Sequence, residues 1–177
     1  MKKLLPALFL FAACASAPPA RPPQWSEIPA PILNALCAKL HSEGVSHESQ
    51  ISLLKTTRPL ITANSIGGLG RAFGKQGDSA MMADVLNSSL QPLPLAVTQG
   101  GNCNWRPVDR IDARRDHETL IVEVSAPFVN PFERGEAGLF ARMSVGGQAP
   151  QWYWIPVAEH NGAWAIGMVL PLDLHEE

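Results

Sequence analysis

The chain has 177 residues, a formal net charge of −2, and is 46% hydrophobic and 17% charged. That length holds one ordinary domain with tails, and that apolar content excludes a disordered chain. The mild acidity excludes nucleic-acid binding through bulk positive charge, and 16 prolines with 14 glycines call for many turns and short elements.

The N-terminus has an export layout. Lys2 and Lys3 precede an apolar stretch over residues 4–13, broken only by Pro6, and small residues follow over 12–17. This is the pattern of a secretory signal peptide. The stretch is shorter than the ~20 residues that span a bilayer. Within it, Phe11-Ala12-Ala13-Cys14 resembles a bacterial lipobox, in which the cysteine becomes lipidated and N-terminal; Phe11 stands where Leu is usual. The alternative is signal-peptidase cleavage after Ala15, which gives a soluble periplasmic or secreted protein. Residues 15–23 are small, polar or proline, a semi-extended spacer between an anchor and a domain. The expected division is a signal peptide over 1–13, a lipid-anchored spacer over 14–27 and one domain over 28–177. The expected place is the cell envelope facing the periplasm, with the membrane as a partner through lipid on Cys14.

If Cys14 carries lipid, Cys37 and Cys103 remain as a pair in an oxidising compartment. Two readings stay open. A bridge would close a loop worth about 4 kcal/mol in the chain-entropy model. Two separate buried thiols would also suit Cys37, which sits on an apolar helix.

The domain is expected to start near Ile28. Pro29 and Pro31 fit a first helical turn. Ile32, Leu33, Leu36 and Leu40 follow at helical spacing, and Gly44 stops the helix. Residues 49–63 read as an extended segment, with Pro59 pointing to an edge strand. Ser65 and Asp78 are candidate caps of two further helices. The second half changes period. Alternation around Leu120, Leu139, Trp152 and Trp164 predicts four strands, a fifth is expected over 105–111, and Asn161-Gly162 signals a type I′ hairpin. The predicted class is α+β, with N-terminal helices followed by a four- to five-stranded antiparallel meander. This order of elements, closing on a strand opened by Gly162-Ala163-Trp164, resembles the cystatin-like and NTF2-like superfolds. The likeness carries no catalytic motif and transfers no function.

Candidate chemistry is sparse. Asp109, Asp112, Asp116 and His117 are interleaved with three arginines, which would neutralise a site and repel a cation; a salt-bridged turn is the better reading. The glycines over 67–74 lack the Lys-Ser/Thr of a phosphate loop. His41 and His47 flank Gly44, and His160 and His175 stand apart. None has the His-x-x-x-His spacing of a helical zinc site, so no metal or other cofactor is expected. No Gly-x-Ser-x-Gly elbow occurs.

Two recognition features stand out. The proline-stiffened loop over 127–135 carries Phe128 and Phe132, a candidate partner surface. Trp152 and Trp154 share a strand face, and Trp164 is a candidate third wall of a pocket. Mid-strand Glu123 and Arg142 are placed to pair across neighbouring strands on the wetter face. The leading expectation is a non-enzymatic binding or assembly module of the bacterial envelope, with an envelope protein as partner. The alternative is an NTF2-like carrier or enzyme using the concave face of the sheet, with Asp109, Asp112 or His117 at its mouth.

Overall fold

A computed structural model describes residues 23–60, 92–97, 103–111, 119–130, 136–145, 148–161 and 163–172. The lipobox, the two expected helices after Ser65 and Asp78, the Asp112–His117 cluster and Phe132 lie outside the described residues. Within them, the chain order is α1 (Ala30–Ser42), β1 (Gln50–Leu54), β2 (Asn104–Val108), β3 (Leu120–Val124), β4 (Phe128–Val129), β5 (Ala137–Ser144), β6 (Gln151–His160), β7 (Ala163–Ile166) and β8 (Leu170–Leu172). The strands form one sheet in the order β2-β1-β3-β5-β6-β7, with β4 beside β5 and β8 beside β6. The expected α+β class, helices followed by an antiparallel meander, is therefore corrected. The described fold is one helix on a mixed, sheet-dominated body, and β1 runs parallel to both of its neighbours.

The physical reason lies in β1. Its sequence Gln-Ile-Ser-Leu-Leu buries every residue after Gln50, on both faces of the sheet. A short run buried on both sides belongs in a sheet interior and pairs readily in parallel. Pro59, which suggests an edge, lies beyond the strand. The chain continues past β1 into an added connection: Lys55 accepts from the Leu95 amide at 2.8 Å, and Thr57 exchanges bonds with Leu93. Ile28 joins the same connection through Pro94 and Ala96.

α1 begins as the sequence predicts. Pro29 sits extended at the N-cap, with proline in the first turn. The helix ends in a Schellman turn: the Gly44 amide donates to His41 and the Val45 amide to Leu40, while Gly44 takes a φ of 97°. That left-handed conformation is why glycine stands there. The buried stripe Ile32, Leu33, Leu36, Cys37 and Leu40 packs on Leu53, Val122, Val124, Leu139, Tyr153 and Ile155.

The other face of the sheet is equally buried and differently built. Here lie Ser52, Leu54, Ile121, Glu123, Phe140, Trp152 and Trp154, all at most 7% exposed. Gly138 belongs to this face. A Cβ there would come within 2.5 Å of both the Ile155 carbonyl and the Trp154 ring. Bare backbone at 138 is thus what leaves room for the indole against β5.

The far edge is broken at a proline. β7 pairs with residues 157–160 of β6 and β8 pairs with residues 152–154. Pro156, between them, has no amide to donate; its carbonyl accepts from Gly167 at 2.9 Å, where the edge chain bulges. The β6–β7 hairpin turns at Asn161, whose φ is 52°. Positive φ at this position is what a type I′ turn requires.

Candidate functional site

Two clusters of chemically capable side chains stand out, one on each face of the sheet. The first is at the C-terminal half of α1. Cys37 and Cys103 are joined as a disulfide with a Cα separation of 5.7 Å. The bridge ties the middle of α1 to the residue just before β2. Of the two readings left by the sequence, the bridge is the one found.

His41 sits one helical turn after Cys37, so its ring lies over the same face of α1. Its Nδ1 is 2.8 Å from the Val45 carbonyl. A carbonyl only accepts, so Nδ1 carries the hydrogen, and Nε2 is turned inward. Nε2 lies 3.3 Å from the Cys37 Sγ and 3.4 Å from the Cys103 Sγ. The Val45 carbonyl is presented there by the Schellman turn that ends the helix. His47 stacks on His41 with ring centroids 3.7 Å apart. Two sulfurs and one imidazole nitrogen thus lie within 4.8 Å of one another. His41 is thus a half-buried member of a cluster that no histidine spacing marked. The spacing signal was present: Cys37 and His41 are four apart on a helix. What the sequence lacked was the third member, which the sheet brings in from residue 103.

The second cluster is aromatic and ionic. Phe140, Phe128 and Trp154 pack with centroid distances of 5.1 to 5.5 Å, and Trp152 meets Phe140 edge-on. Glu123 and Arg142 are directly opposite in register and joined by two guanidinium hydrogen bonds. Arg142 also lies over the Trp152 ring, 5.6 Å from its centroid. The Trp154 indole donates to Glu136 at 3.1 Å, and the same carboxylate oxygen accepts from Asn130 at 2.9 Å. Asn130 and Glu136 so clasp the two ends of the segment that carries Phe132.

The sequence candidates divide accordingly. Phe128 is 3% exposed and belongs to the aromatic cluster. Trp152 and Trp154 share that face, as expected. Trp164 does not join them. It pairs opposite Glu159, which puts it on the α1 side, where it meets Trp25 edge-on at 6.1 Å. Asp109 is exposed and pairs with Lys55 at 3.1 Å. His160 is exposed at the end of β6.

One further pair links helix and sheet. The Tyr153 hydroxyl, rising from the middle of the core, donates to Glu43 at the C-cap of α1. Burial first, then the Glu43 hydrogen bond and charge, push the phenol well above its usual range. Comparison with protein-family models, with curated proteins and with solved structures finds no match.

Proposed function

We propose that the chain is an exported bacterial lipoprotein, held by lipid on Cys14 and a proline-rich spacer, whose sheet domain serves as a binding or assembly module of the cell envelope. The observation that carries this reading is the Cys37–Cys103 bridge inside the core. Structural disulfides persist in oxidising compartments and are rare where thiol buffers keep cysteines reduced. The bridge therefore agrees with the export layout of residues 1–17. The last residues of the expected spacer already pack on the domain, with Trp25 against Trp164, and Ile28 is bonded to Pro94 and Ala96.

The test is the intact mass of the mature protein made with its own leader, before and after reduction and alkylation. The expected species starts at Cys14, carries acyl chains, and takes up alkyl groups on Cys37 and Cys103 only after reduction. A start at Ser16 without lipid overturns the anchor. Cross-linking in the intact envelope tests the module: a discrete cross-linked partner is expected, and a chain that cross-links to nothing sinks the assembly role.

A further inference from the structure

We propose that Cys37, Cys103 and His41 form a two-state site: closed as a disulfide, and, once reduced, a three-coordinate seat for one Cu(I) ion. The inference goes beyond the envelope reading and does not rest on the lipid anchor.

The donors come from rigid elements. Cys37 and His41 stand four apart on α1, and Cys103 enters at the start of β2. Their ligand atoms already lie within 4.8 Å of one another. Two thiolates with an imidazole are soft donors, and such sets favour Cu(I) and zinc over magnesium, calcium or manganese. Zinc takes four ligands in a closed site. Among the described residues three donors come together, and Cu(I) is content with three. Metal–sulfur bonds of about 2.3 Å in a trigonal arrangement set the sulfurs about 4 Å apart. Rotation about the Cα–Cβ bonds reaches that spacing from Cα atoms 5.7 Å apart.

The surroundings of His41 match this role independently. A ligating histidine almost always gives its other ring N–H to a carbonyl or carboxylate, which fixes the tautomer and aims the coordinating nitrogen. His41 does so at Val45, with 2.8 Å between the atoms. The stacked His47 ring holds the imidazole plane. Cys37 is fully buried, Cys103 nearly so, and His41 half-buried.

The change of state balances with an external dithiol as reductant. One of its thiolates attacks a bridge sulfur, and the S–S bond breaks to give a mixed disulfide and a free cysteine. The second external thiol resolves the mixed disulfide. Two electrons and two protons pass to Cys37 and Cys103, and the reductant leaves as a disulfide. Cu(I) then displaces the two thiol protons to solvent and keeps its oxidation state.

The experiment uses the mature protein, reduced with a phosphine under nitrogen, desalted, and titrated with Cu(I) against a coloured Cu(I) chelator. The expected result is one tightly held copper per reduced chain and none on the oxidised chain. His41→Gln, which leaves both cysteines in place, should weaken binding at least tenfold, whereas His47→Ala should change it far less. Cys37→Ser should abolish it. No copper on the reduced chain, equal affinity in His41→Gln, or retention in Cys37→Ser (which would assign the metal to donors outside this pair of cysteines) each overturns the proposal. Circular dichroism guards against a fold lost on reduction. If the reduced chain unfolds, Cu(I) must restore the spectrum in the parent and not in His41→Gln; failure to do so counts against the site.

Discussion

Tyr153, at the centre of β6, reaches across the core to hydrogen-bond Glu43 at the end of α1. It is the single tyrosine in the chain, so phenolate absorbance reports on this contact alone. Its pKa is raised by burial and by the adjacent carboxylate, so the native state holds the proton more tightly than the unfolded state. The resulting stability is fully present below the unfolded tyrosine value of about 10 and is lost as pH climbs above it. An alkaline titration should show phenolate appearing well above pH ~10 and together with loss of the fold. Free ionisation near pH ~10 in the folded protein would refute the contact. Tyr153→Phe should lower stability by about 1 kcal/mol, the net worth of one hydrogen bond.

Reducing the Cys37–Cys103 bridge should destabilise the domain by about 4 kcal/mol, the loop-closure value for a span of 66 positions. Denaturant midpoints with and without reductant measure this. A reduced chain with an unchanged midpoint would show that the bridge constrains neither state.

Gly138→Ala should cost about 3 kcal/mol, since overpacking of a filled core forces its neighbours to move. The added methyl meets the Ile155 carbonyl, which is backbone, and the Trp154 ring, which is held by Glu136. Thermal unfolding checks the loss. Tolerance of the variant would mean that the indole does not pack against β5.

Glu123 is buried and bonded to Arg142. Arg142→Leu should cost about 3 kcal/mol, because a buried carboxylate loses its counter-ion. Adding Glu123→Leu should recover much of that loss, as apolar replacements of buried pairs often do. A double variant no more stable than the single one would show that the pair is not acting as a unit.

That pair was legible in the sequence. Glu123 and Arg142 stand mid-strand in two alternating runs, and period-2 alternation fixes which residues share a face. Its setting was not, because the burial of that face depends on how the whole body packs. The same alternation put Trp152 and Trp154 together, but it left Trp164 undecided: the turn at Asn161 sets the register, and Glu159, not Trp154, ends up opposite. β1 was misplaced at an edge because both its partners come from more than about 50 positions away in the chain, beyond any local pattern. Cys37 and His41 were legible as helix neighbours. Cys103 joins them only through the parallel pairing of β1 with β2, which local periodicity does not encode.

The parallel seat of β1 has a consequence for how the chain is made. Synthesis is vectorial, so α1 and β1 emerge first. Both neighbours of β1 are specified later: β2 at Asn104–Val108 and β3 at Leu120–Val124. Until those residues arrive, an apolar strand waits with both hydrogen-bonding edges open, a template for pairing with other chains. Contacts this distant in sequence also slow folding. The sheet therefore closes late, around its first-made strand, and the nascent N-terminal half depends on being kept apart from its own kind until then.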